Sequence, residues 1–145
     1  MDRSVAVLIT AAAGGLIALQ APINAILGRA TGSLAAALVS FGVGTIALAV
    51  IVVLAGQGGG IGGVADVAPV YLIGGMLGAV YVTCALITVK SVGAGGVAAA
   101  TITGQLTASV ALDQLGAFGL EQAPLSASRI AGVVLLLAGT FLVIR

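Results

Sequence analysis

Nine charged side chains interrupt this chain of 145 residues, and the stretches between them are long and apolar. They are Asp2, Arg3, Arg29, Asp66, Lys90, Asp113, Glu121, Arg129 and Arg145. A water-soluble domain carries about a quarter of its residues as charges to clothe its surface. Here 6% are charged and 61% hydrophobic, with a mean hydropathy of +1.32. A helix needs roughly 20 apolar residues to cross the hydrocarbon of a bilayer, and the uncharged stretches have that length. The pattern predicts an all-α integral membrane protein with five transmembrane helices, at about 4–27, 33–55, 69–89, 94–113 and 127–144. The connections are short, so residues 1–145 read as a single transmembrane domain.

Other classes fall away on the same residues. The first apolar run continues from Val5 to Leu19, longer than the ~7–15 residues of a secretory signal, with no clean small-residue cleavage site after it. Cys84 is the single cysteine and rules out an internal disulfide framework. A net charge of +1 gives no reason to expect nucleic acid as a partner. No Ser/His/Asp arrangement, Cys/His cluster or carboxylate pair lies within a span, so no catalytic residue, metal site or cofactor is expected, and the chain does not read as an enzyme. Gly58, Gly60 and Gly63 spell G-x-G-x-x-G, but no strand precedes them, so they read as a flexible loop. The 114–126 segment, with Leu115, Phe118, Leu120 and Pro124, reads as an interfacial connector, and Ser126 or Ser128 as the cap of the last helix.

Orientation is nearly balanced. Lys and Arg in short loops mark the cytoplasmic side. Five spans place Arg3 and Arg129 on one side against Arg29, Lys90 and Arg145 on the other. A near tie is what a chain inserted both ways would show; a weakly biased chain that inserts one way shows it too. Insertion both ways would matter because five helices are too few to enclose a solute and open alternately to each side. Many transporters pair two inverted repeats around a midplane site, and an antiparallel homodimer reaches the same arrangement with one gene. The 23 glycines favour close helix approach. Gly74 and Gly78, Ser40 and Gly44, and Gly132 and Gly139 are candidate seam positions, within one chain or between two.

Polar groups inside spans need partners that lipid does not offer. Thr101, Gln105, Ser109 and Asp113 follow at i, i+4 and share an arc of roughly 120° on a helix. Thr103 and Thr107 lie off that arc, where a hydroxyl can bond the carbonyl four residues earlier. Gln105 demands more than its own turn supplies, so Gln105 and Ser109 are candidate solute-binding residues. Gln20 and Asn24 are likewise i, i+4 neighbours, flanking Pro22, which frees the carbonyl of Ala18 and is expected either to kink the first helix or to leave that acceptor open. The expectation is a kinked helix presenting two amides and an open carbonyl to a cavity. Tyr81 is a further candidate hydroxyl. Asp113 is the one carboxylate attached to a span and a candidate for ion coupling, although at a helix end it is also placed to pair with Arg129 or Arg29.

The order of these features resembles the YdcZ-like family of the drug/metabolite transporter superfamily. The resemblance covers almost the whole chain: Gln20-Ala21-Pro22-Ile23-Asn24-Ala25, Ser40-Phe41-Gly42-Val43-Gly44-Thr45, Gly74 to Val82, Gly104 to Ser109 running into Asp113-Gln114-Leu115-Gly116, and Arg129-Ile130-Ala131-Gly132 to Thr140. It implies a multi-pass protein of the bacterial inner membrane, similar to half of a ten-helix exporter and pairing to make a whole. Small multidrug resistance proteins of that superfamily carry a glutamate within the first helix for proton coupling; this chain has none there. That departure favours a polar or neutral solute recognised by hydrogen bonds. The leading expectation is thus a secondary transporter, an exporter of a small polar metabolite or drug-like solute. It would act as a dual-topology homodimer, or with a paralogue, by alternating access in the lipid bilayer. The alternative is a dual-topology channel for a small ion. A Gly/Ala-rich proteolipid of a rotary ring would need a carboxylate deep within a span, and none is present.

Overall fold

The computed structural model describes residues 2–119 and 121–145, all helical or irregular, with no strand among them. Leu120, one of the residues expected in the connector, lies outside the described residues. Four long helices follow in order: α1 (Arg3–Thr31), α2 (Ser33–Leu54), α3 (Ile73–Leu115) and α4 (Ala127–Ile144). Each is long and apolar enough to cross a membrane.

The five expected spans correspond to four helices because two of them are joined within α3. Gly93 breaks α3 with φ 70 and ψ 170, a conformation open only to glycine. It divides α3 into arms of residues 73–92 and 94–115. Gly32 makes the same device between α1 and α2, with φ 84 and ψ 155. A single residue without a Cβ thus turns the chain where a longer loop was expected.

α1 carries Pro22 in its interior. The helix runs on through the proline to Thr31 without interruption, since a proline ring fixes φ near the helical value and removes one hydrogen bond. The 58–63 glycines depart from a flexible loop, because Gly58–Asp66 form a 3₁₀-helix and Pro69–Leu72 another. The third expected span therefore starts as 3₁₀ and becomes α at Ile73. Ser126 caps α4 as expected, its hydroxyl accepting from Arg129 N–H at 3.3 Å.

The chain forms two compact units, one of Leu19–Lys90 and the other of the residues up to Ala18 with Ser91–Arg145. In Leu19–Lys90 the core is small and apolar: Ala36, Ala37, Val82, Ala85 and Leu86. Gly28 lets α1 close on it, since a Cβ there would stand 3.2 Å from Leu86 Cδ2 and 3.7 Å from Ala36 Cβ. Phe41 of α2 covers Gly78, 3.4 Å from where a Cβ would be. That contact uses Gly78 within the chain, while Gly44, Gly74, Gly132 and Gly139 have nothing within 4 Å of a Cβ.

In the other unit the second arm of α3 and α4 pair antiparallel. The contacts advance along one helix as they retreat along the other: Gly96 with Ile144, Ala99 with Thr140, Thr103 with Leu136, and Asp113 with Arg129.

Candidate functional site

Asn24 is the polar side chain that the fold treats most unusually. It lies on α1 one turn before Gly28, and the close approach at Gly28 leaves Asn24 only 5% exposed. Its amide nitrogen is buried and has no hydrogen-bond partner among the described residues. A buried amide left unpaired costs about 1–3 kcal/mol, so native proteins keep few such groups. Gln20, one turn earlier on the same helix, is exposed and also makes no hydrogen bond among the described residues.

At about 100° per residue, Ala18 and Pro22 point to the side of the helix opposite Gln20 and Asn24. Tyr81, on the first arm of α3 in the same compact unit as the amides, is half-buried and has no hydrogen-bond partner among the described residues.

Gln105 and Ser109 belong to the other unit, on the second arm of α3. Both are exposed and without a hydrogen bond among the described residues, and nothing lies within 4 Å of a Cβ at the neighbouring Gly104. The reason is across the helix. Thr103, about 200° away from Gln105, is 6% exposed and packs on α4. Its hydroxyl reaches Leu136 O at 3.3 Å and Thr140 Oγ1 at 2.6 Å, and Thr140 Oγ1 reaches Ala99 O at 3.1 Å. Two hydroxyl protons serve three contacts, so at any moment one of the three is without a proton. Thr107 returns to Thr103 O at 2.8 Å, as expected for a helical threonine. Thr103 does not, and sequence spacing gave no sign of its partner on α4.

Asp113 is an end-of-helix group with a partner. Arg129 Nη1 donates to its carboxylate at 3.2 Å, and both side chains are 36% exposed. The same guanidinium donates to Ala123 O at 3.5 Å, and Gln114 Oε1 accepts from Leu125 N–H at 2.6 Å. The Asp113 carbonyl accepts from the N–H groups of Gly116 and Ala123. These bonds fasten the 116–126 connector to the helices on either side. Phe118 projects from it and Leu115 from the end of α3, 80% and 71% exposed, and Phe118 is held at φ 57.

No curated protein and no solved structure matches the chain. A family model does: the one described as "Putative inner membrane exporter, YdcZ" matches residues 5–142, nearly the whole length. With its apolar helices of spanning length, the chain belongs to the YdcZ family of the drug/metabolite transporter superfamily, multi-pass exporters of the inner membrane.

Proposed function

We propose that the protein exports a small polar solute as a secondary transporter, two copies in opposite orientation working by alternating access. The observation that carries the reading is the Asn24 amide, more than nine-tenths buried, with an N–H donor unused among the described residues. A group kept at that cost is explained if a solute carbonyl, carboxylate or hydroxyl accepts from it during transport. Gln20 and Tyr81 add hydrogen-bonding groups in the same unit, and Gln105 and Ser109 are a separate polar pair on the second arm of α3. All of these groups are amides or hydroxyls, which fits recognition by hydrogen bonds.

The need for a second copy follows from Gln105. An amide on a spanning helix with no partner among the described residues must meet water, solute or another protein, because hydrocarbon satisfies neither its donors nor its acceptor. Near balance of the loop cations supports insertion in both orientations.

The test has two arms. Single cysteines at Asp2 and at Arg145, with Cys84 replaced by alanine, are labelled in intact cells with an impermeant maleimide. Labelling of a part of each population supports the inverted pair; uniform labelling from one side overturns it. Proteoliposomes loaded in turn with radiolabelled amino acids, sugars and polyols then report efflux. The reading expects carrier-rate efflux of one class and its loss in Gln105→Leu. Single-channel currents would replace the carrier by an ion channel.

A further inference from the structure

The connector between α2 and α3 carries an apolar pattern of its own. Ile61, Val64, Val67, Val70 and Ile73 recur at every third position. A 3₁₀-helix turns once in three residues, so side chains at i and i+3 stack in one line. Gly58–Asp66 and Pro69–Leu72 are 3₁₀-helical. Ile61 and Val64 therefore form a line on the first piece, and Val70 leads to Ile73 on the second. Extended backbone at Val67 and Ala68 joins the two. All five side chains are exposed, between 45% and 65%. Around the first line stand five glycines, Ala65 and Asp66, so the piece has one apolar edge and a bare backbone elsewhere.

We propose that this connector lies flat in the headgroup layer of the bilayer, with Ile61, Val64 and Val67 turned into the acyl boundary and the glycine backbone and Asp66 facing water. Two observations select lipid as what covers the line. The connector leaves α2 just after Leu54 and enters α3 at Ile73, and both helices have spanning length and composition. Both its ends are therefore held at the membrane surface. Moreover Ile73, the last member of the line, is the first residue of α3, so the apolar edge runs on into the flank of a spanning helix. Interfacial segments bury such an edge about 5–10 Å below the headgroups. Glycines suit this depth, because their uncovered amides still reach interfacial water. The proposal is independent of the transported solute and of the number of copies.

The experiment is a nitroxide scan. Full-length protein with Cys84→Ala receives single labelled cysteines from 58 to 70 and is reconstituted in vesicles of phosphatidylethanolamine and phosphatidylglycerol. Collision with oxygen, concentrated in hydrocarbon, is compared with collision with a water-soluble nickel chelate. The expected profile has a period of three, with the oxygen-to-nickel ratio several-fold higher at 61, 64 and 67 than at their neighbours. High nickel collision throughout overturns the proposal in favour of a loop in water. Low collision with both reagents along the line overturns it in favour of cover by protein, a second copy included. Should labels at glycines perturb the segment, the absence of tryptophan from the chain gives a second route. Val64→Trp should be quenched by phospholipids brominated near the headgroup several-fold more than Ala65→Trp, and equal quenching overturns the proposal.

Discussion

The two compact units are held together by different forces. In the Ser91–Arg145 part, the second arm of α3 is joined to α4 by hydroxyls, backbone carbonyls and an ion pair. In Leu19–Lys90, α1, α2 and the first arm of α3 meet through Gly28, Ala36, Ala37, Ala85 and Leu86 with almost no polar bonding between helices. Lipid offers no hydrophobic drive between helices, so close packing and hydrogen bonds are the alternatives. The first unit uses its buried hydroxyls for cohesion. The second coheres by shape, and its buried amide at Asn24 remains uncommitted. A polar group that does not hold the fold is free to hold something else.

The largest expected effect tests that contrast directly. Asn24→Leu keeps a γ-branched shape and removes the unpaired amide. Efflux should fall at least tenfold, the effect of losing about 1.4 kcal/mol of solute binding. Thermal stability in detergent should stay level or rise, by up to about 1–3 kcal/mol of relieved desolvation. Thr103→Val should do the reverse, costing stability and leaving efflux in place. If both variants lose stability alike, the amide is a structural bond and the contrast fails.

Next in size is the packing itself. Gly28→Val drives a branched side chain against Leu86 and Ala36, where a Cβ alone stands 3.2 Å from the leucine. Overpacking of this sort costs about 1–3 kcal/mol. Gly104→Ala meets nothing within 4 Å and should gain up to about 1 kcal/mol from helix propensity. Thermal melts of the two in one detergent check the signs, and equal losses would mean that Gly104 faces a partner.

Much of the architecture was legible because each rule behind it is local. Hydrocarbon thickness set helix length, charges set the limits, and the last helix, expected at about 127–144, is Ala127–Ile144. Boundaries slipped where glycine or proline acted outside those rules. Gly93 turned the chain without a loop, and Pro22 stayed within a continuous helix. The candidate polar residues were legible as types on one face of a helix. What each one meets was not, because a partner on another helix leaves no spacing in the sequence: Thr103 finds α4, and the Asn24 amide nitrogen finds no partner among the described residues.

The hydroxyl clamp comes third. Thr103→Val and Thr140→Val each leave one hydroxyl with a carbonyl to itself, Ala99 O or Leu136 O. Each single change removes one of the two hydroxyl protons and should therefore cost about one interhelical hydrogen bond. A double-mutant cycle should report a coupling near the ~0.6 kcal/mol typical of hydrogen bonds between membrane helices. Additive losses would show that the 2.6 Å contact between the hydroxyls contributes nothing.

The smallest effect belongs to Asp113, and it separates a fastening from a coupling role. Its partner Arg129 is as exposed as it is, 36% for both, and an ion pair in that setting contributes about 0–1 kcal/mol. Asp113→Asn should therefore lower stability only slightly, with the loss shrinking further in high salt. Gln114 and the backbone bonds to Ala123 continue to hold the connector. Exchanging the charges, Asp113→Arg with Arg129→Asp, should recover most of whatever the single change removes, because attraction between the two is unaltered by which helix carries which sign. A carboxylate that exchanges a proton or cation with the transported solute must stand at its own position, so the exchange would not restore flux. Efflux retained in Asp113→Asn assigns the residue to the connector. Efflux lost there, and not recovered by the exchange, would move ion coupling to Asp113 and add a titrating group to a mechanism otherwise built on amides and hydroxyls.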